Sequence, residues 1–274
     1  MEDVKDLQPN ELRELLAGFM EEEYLLIDVR QPEEYALGHL PGALHVPLME
    51  LDAAMPKIAQ VEHKIFYCLL GGRSLHASFM AAQVHGLTNV YNLLGGLLAW
   101  DGHIVADLPR LKVFERSETF NQILLMGMNL EKGAELFYQQ LLGFFEGTKL
   151  TDAFTHLADA ESVHARLLYE HLDAETRGQW GTFEKLFSRL SGDLLESGES
   201  TDSALARAKD LEEVGAIAVL ELALGMELEA HDLYRTLATQ ADTLTVKNAF
   251  LDLATHENFH AQAVAALIGR VAER

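Results

Sequence analysis

Phe154-Thr155-His156-Leu157-Ala158-Asp159-Ala160-Glu161-Ser162-Val163-His164 and Phe250-Leu251-Asp252-Leu253-Ala254-Thr255-His256-Glu257-Asn258-Phe259-His260 carry one pattern twice, 96 residues apart. Each reads Phe-x-x-Leu-Ala-x-x-Glu-x-x-His. The same offset pairs Ala153 with Ala249, Glu131 with Glu227 and Tyr138 with Tyr234. A register held over this many positions is an internal repeat of one structural unit. A Glu and a His three apart on a helix share one face, so each pair can serve one metal site. Chance alone supplies about one Glu-x-x-His in a half this rich in Glu, so the weight rests on the register, not on the motif.

The unit is a helical hairpin. Residues equidistant from an antiparallel turn lie at one height. Glu131 and Glu161 are centred on position 146, within Phe145-Glu146-Gly147-Thr148, and Glu227 and Glu257 on position 242, within Ala241-Asp242-Thr243. Both segments are turn-like. Each hairpin therefore sets a Glu opposite a Glu-x-x-His. Two hairpins packed pseudo-symmetrically converge Glu131, Glu161, His164, Glu227, Glu257 and His260 in a bundle core. Four carboxylates in a dry core repel and protonate unless a cation compensates them. Four negative charges balance two divalent metals, and oxygen plus imidazole ligation suits Fe or Mn, with Zn a substitute.

Working outward, helical periodicity extends over 117–145, 150–174, 209–240 and 244–272, and proline is absent after Pro109. Residues 176–208 read as the crossover of a bundle, with a short helix near Phe183–Leu190. Residues 1–105 differ. Tyr24–Asp28, Lys64–Cys68 and Asn89–Asn92 read as strands. Helical stretches cover Glu11–Ala17, Glu33–Ala36, Leu48–Ile58 and Ser74–Val84. This alternation predicts βαβ units and a mostly parallel sheet. The boundary is expected at Asp107–Lys112, giving domains 1–110 and 111–274.

Cys68 is the only cysteine, which excludes an intramolecular disulfide, a four-cysteine zinc site and a rubredoxin-type iron site. It follows a strand and precedes Leu69-Leu70-Gly71-Gly72, with Arg73 and Ser74 opening a helix. Inward-turned amides in such a loop, with Arg73 nearby, lower a thiol pKa and cradle an anion. A thiolate there can attack a sulfane sulfur and hold it as a persulfide.

The motifs Asp28-Val29-Arg30, Pro32-Glu33-Glu34-Tyr35, Gly38-His39-Leu40-Pro41-Gly42-Ala43, Cys68 to Ser74, and Gly95-Gly96 with Ala99-Trp100 occur in this order. Together they resemble the single-domain rhodanese family over about residues 7–104. The resemblance implies an α/β fold, Cys68 as the sulfur-carrying nucleophile and 68–73 as the active-site loop, closed by Arg73. Leu69, Leu70, Gly71, Gly72 and Ser74 would contact substrate. Asp28 and Arg30 read as a structural ion pair, His39 as a structural histidine and Trp100 as core. Four residues between Cys68 and Arg73 is the length sulfurtransferases use. Related phosphatases and arsenate reductases, the alternative, tend to have one more.

Residues 115–272 resemble the rubrerythrin branch of the ferritin-like superfamily. This implies an all-α four-helix bundle with a non-haem centre of two Fe ions at the six residues named above. Tyr138 and Tyr234 would hydrogen-bond ligand carboxylates. The chain departs from rubrerythrins in lacking rubredoxin cysteines, and in carrying Ala230 where they have an extra Glu.

A formal net charge of −22, with 43 acidic against 21 basic residues, speaks against nucleic acid and anionic membrane surfaces. The first residues lack the features of a signal peptide, so a cytoplasmic location is expected. The whole reads as a sulfurtransferase fused to a di-iron module with peroxide- or oxygen-linked redox activity. Small sulfur donors, thiol acceptors and an external electron donor are the implied partners, and a homodimer is compatible. The rival reading is an iron-binding or storage bundle with an appended sulfurtransferase.

Overall fold

The computed structural model describes residues 4–106, 114, 117, 119–145, 147, 150–241 and 243–272. The expected domain boundary at 107–112 and the hairpin midpoints Glu146 and Asp242 lie outside the described residues. The chain divides into two compact units. One is Met1–Leu108 with Tyr234–Thr255, and the other is Pro109–Leu233 with His256–Arg274.

In the first unit a five-stranded sheet is built from β1 (Lys5–Leu7), β2 (Tyr24–Asp28), β3 (Leu44–His45), β4 (His63–Tyr67) and β5 (Val90–Leu93). Their order is β1-β5-β4-β2-β3 and every pairing is parallel. The three central strands are those read from the sequence. β1 and β3 are the edges. They are short and partly polar, so they lack the continuous apolar run that marks a strand buried on both faces.

Alternation along the strands sorts side chains to two cores. Leu25, Ile27, Phe66 and Cys68 pack with Leu51, Met55 and Ile58 of α3 (Leu51–Ile58) and with Ala77 of α4 (Gly72–Phe79). Tyr24, Leu26, Ile65 and Tyr67 pack on the other face with Leu12 of α1 (Pro9–Ala17) and Tyr35 of α2 (Pro32–Ala36). The helix expected over Ser74–Val84 is α4 continued by a π turn at Met80–Val84, closed by His85 N–H donating to Met80 O at 3.1 Å. After β5 comes α5 (Gly96–Ala99). Trp100, expected in the core, lies half-buried at its edge and donates to His103 O.

Helices α6 (Phe120–Phe144), α7 (Leu150–Glu170), α11 (Ala216–Gln240) and α12 (Leu244–Ala272) are the four long helices. Phe137, Leu141, Phe154, Leu220, Ala223 and Val264, drawn from all four, lie in one core. Two expected boundaries shift. α7 stops before 174 because Asp173 caps the next helix, accepting from Thr176 N–H at 2.7 Å. α11 starts at 216, not 209, because Gly215, at φ +133°, separates it from another helix. The crossover holds three helices rather than one: α8 (Ala174–Trp180), α9 (Phe183–Phe187) and α10 (Thr201–Glu212). Among the described residues no helix is long and apolar enough to cross a membrane.

Candidate functional site

Cys68 is the first residue beyond β4, at the carboxyl edge of a parallel sheet, where open α/β folds bind ligands. Its thiol is buried, 1% exposed. The chain reverses at Gly71, whose φ of +91° brings its N–H to donate to Cys68 Sγ at 3.1 Å. Ser74 Oγ lies 3.5 Å from the sulfur and 2.7 Å from Asn92 Oδ1, so its one hydroxyl proton can be given to either. Burial pushes the thiol pKa up, but hydrogen bonding by Ser74 and by the Leu70 and Gly71 amides outweighs it and the net shift is down.

A second glycine pair supports the loop from below. Leu97 N–H donates to Cys68 O at 2.8 Å and Leu98 N–H to Leu69 O at 3.0 Å. A Cβ on Gly96 would sit 2.2 Å from Cys68 O, and Gly96 has φ +59°. Only glycine permits both the conformation and the approach.

Arg73 does not hang free over the thiol. Its guanidinium makes a two-pronged pair with Glu34, at 2.7 and 2.6 Å. Hydrogen bonding from Arg73 brings the Glu34 carboxyl down to about 2. Glu34 and Asn92 went unrecognised as site residues. Glu34 lies in a quoted motif, but nothing in the sequence names its partner. Asp28 and Arg30 form the expected buried pair, with Arg30 Nη2 2.6 Å from Asp28 Oδ2, and Arg30 also donates to Gly38 O. His39 is fully buried against Tyr35. Leu69 is half-buried, and Leu70 and Gly72 are exposed, so the rim is apolar.

The repeat folds as a repeat. Tyr138 stacks on Phe154 with ring centroids 6.3 Å apart, and Tyr234 on Phe250 at 6.2 Å. All six expected ligands meet in the second unit. His164 Nδ1 lies 3.3 Å from Glu131 Oε2, 3.2 Å from Glu161 Oε2 and 2.9 Å from Glu257 Oε1. His260 Nδ1 lies 3.3 Å from Glu227 Oε2 and 3.7 Å from Glu257 Oε2. The two imidazoles stack at 5.1 Å. Tyr138 donates its hydroxyl to Glu227 Oε1. Tyr234 is buried.

This donor set fits metal ions. One ring N–H can serve only one of the three carboxylates around His164 Nδ1. Glu227 Oε2 and His260 Nδ1 are buried and adjacent, yet neither makes a hydrogen bond. Donor atoms of Glu161, His164, Glu257 and His260 all lie within 4.8 Å of one another. Protons alone satisfy the cluster poorly. Burial pushes the Glu161 and Glu227 carboxyls up, Glu227 to about 7. Burial opposes charge on His260, but the Glu227 and Glu257 carboxylates raise it to about 9. A fifth carboxylate, Glu196 in the crossover, borders the same cavity. No pattern in the sequence marked it.

Residues 11–103 match the rhodanese-like domain model. A sulfurtransferase of Allochromatium vinosum is 35% identical over 100 residues, spanning 36% of this chain and 91% of that protein. The chain belongs to the rhodanese-like family. Thiosulfate:glutathione sulfurtransferase of Homo sapiens resembles the same rhodanese-like part at 36% identity, over 33% of this chain and 87% of its own length. A rhodanese-related protein from Thermoplasma volcanium aligns with 38% of the chain and 99% of its own, at 24% identity and a TM-score of 0.33. Residues 218–274 match the rubrerythrin model. That match covers the second hairpin, to which the 96-residue register relates the first. The chain is thus a fusion of a rhodanese-like domain with a rubrerythrin domain.

Proposed function

We propose that Cys68 carries a sulfane sulfur between a donor and a thiol, and that the bundle holds a pair of iron ions linked to peroxide or oxygen reduction. The observation that supports the first part is the Gly71 amide aimed at Sγ from a loop of four residues between Cys68 and Arg73. The thiolate attacks the terminal sulfur of the donor. The new S–S bond forms as the donor's own bond to that sulfur breaks, and the remainder leaves with the electron pair, as sulfite when thiosulfate is the donor. An acceptor thiolate then attacks the outer sulfur, takes it as a persulfide and returns Cys68 as thiolate. There is no net oxidation. The thiol is nearly closed off and the rim is apolar, which favours a slender donor of low charge over thiosulfate.

Glu131, Glu161, Glu227 and Glu257, with His164 and His260, would hold the metal pair. When bound, such a pair supplies the electrons that reduce peroxide or dioxygen, replenished from an external donor. The chain's part is to hold and shield it. The Tyr138 hydroxyl orients Glu227. Of the six, His260 is the one with appreciable exposure, its side chain 20% exposed. It opens on a largely apolar groove of about 670 Å³ bordered by Leu150, Phe154, Leu157, Leu220 and Val264. A small neutral oxidant can approach by that side.

Cys68→Ser tests the first part. It is expected to reduce sulfur transfer to background with metal content unchanged. Retained turnover in that variant overturns the role of Cys68.

A further inference from the structure

We propose that Glu196, supplied by the crossover and not by a bundle helix, is a further carboxylate ligand of the metal centre. The inference rests on the di-metal reading of the six residues above. Glu196 is 5% exposed and borders one small cavity with Glu161, Glu227, Glu257 and Tyr138. Its side chain makes no hydrogen bond or ion pair with another side chain among the described residues. A carboxylate so enclosed is costly to leave without a counter-charge.

The position is built rather than incidental. Leu194 bridges Ser200 in a short antiparallel turn, tightened by Leu195 N–H donating to Glu199 O at 2.9 Å. That turn docks on α6 on either side of Glu131. Two residues before it, Asn129 accepts from Gly192 N–H at 3.0 Å and donates to Asp193 Oδ1 at 3.1 Å. Two residues after it is Gly133, where a Cβ would sit 2.1 Å from Leu194 O. Gly133 is therefore what lets the crossover backbone close on the helix at the level of Glu131. Leu195 is buried in the bundle core, so its neighbour Glu196 is anchored over the cluster. Ala230, which carries no donor atom, borders the same cavity.

Glu196→Gln keeps the shape and removes the charge, and Glu196→Asp keeps the charge on a shorter stem. Both are made in the full chain and compared with the parent. The apo proteins are loaded anaerobically with Fe(II), then challenged with a graded chelator, and in parallel loaded with Co(II) for its visible spectrum. The parent is expected to hold two metals. Glu196→Gln is expected to lose metal at least tenfold more readily and to change the Co(II) bands, while its apo form melts no lower than the parent's. Glu196→Asp is expected to fall between. Parent-like retention together with an unchanged Co(II) spectrum in Glu196→Gln overturns the proposal while leaving the six-residue site intact. A parent that retains no metal pair overturns the di-metal reading, and the role of Glu196 with it.

Discussion

The two sites hold negative charge by opposite means. Around Cys68 a single anion is served by the backbone: the Gly71 amide points at the sulfur and glycines at 71 and 96 let the chain approach. Around His164 the anions are side chains, crowded between helices with too few protons to share. A loop of amides is complete without a cofactor. A cluster of buried carboxylates is complete only with a cation. The first site therefore depends on loop geometry, and the second on occupancy.

The largest effect expected from this contrast is on the carboxylate side. Ligand binding to the native state stabilises it by about 4 kcal/mol at a thousandfold excess over Kd, and for units of this size about 1 kcal/mol moves the melting temperature by roughly 2–4 °C. The melting transition of the metal-loaded parent should therefore lie on the order of 10 °C above that of the chelated protein. Glu161→Ala and its repeat mate Glu257→Ala should lose both metals and most of that difference, while their apo forms melt close to the apo parent. Metal analysis and calorimetry with and without chelator check this. Two tightly held metals in either variant would contradict the shared centre.

Next is the backbone of the thiol loop. Gly96→Ala places a Cβ against Cys68 O, and its φ costs an ordinary residue about 1–2 kcal/mol before any clash. A displacement near 1 Å is enough to cost about 100-fold in rate. The expected result is that scale of loss in sulfur transfer with metal content unchanged. A parent-like rate would mean that the loop is not held from below.

A smaller effect separates amides from side chains. If Cys68 reacts as its thiolate, as proposed, its lowered pKa sets the pH range of transfer. Transfer should persist below the pH at which an ordinary thiol protonates and be lost as pH falls through the lowered value. Ser74→Ala removes a hydrogen bond to the sulfur, so the inflection of the pH–rate profile should move to higher pH. An unmoved inflection would assign the whole depression to the amides.

The smallest effect belongs to Arg73. It is paired with Glu34 and about a third exposed, and such a pair contributes under about 1 kcal/mol to stability. Arg73→Ala should leave the melting temperature of the apo protein nearly unchanged and slow transfer only several-fold. Loss of transfer as complete as in Cys68→Ser would show that Arg73 touches the reacting atoms.

What could be read from the sequence follows the same contrast. The carboxylate cluster was legible because its ligands are side chains at helical spacing, doubled at a fixed offset, so Glu131 through His260 could be brought together on paper. Glu196 escaped because it comes from irregular chain, where no period relates it to the others. The central strands were legible through their apolar runs, while β1 and β3, short strands at the sheet edges, carried no such signal. Cys68 and its loop stood out by motif. Gly96 under Cys68 and Glu34 against Arg73 are contacts across the fold, and no local spacing encodes them.

The most direct test of the two-site account is native mass spectrometry of the intact chain, loaded anaerobically with Fe(II) and exposed to a small alkyl persulfide. The account predicts one species that carries two iron ions and the added mass of one sulfur atom. In Cys68→Ser the sulfur should be absent and both irons retained. Sulfur addition that survives the loss of Cys68, or a parent chain that carries no iron pair, would contradict it.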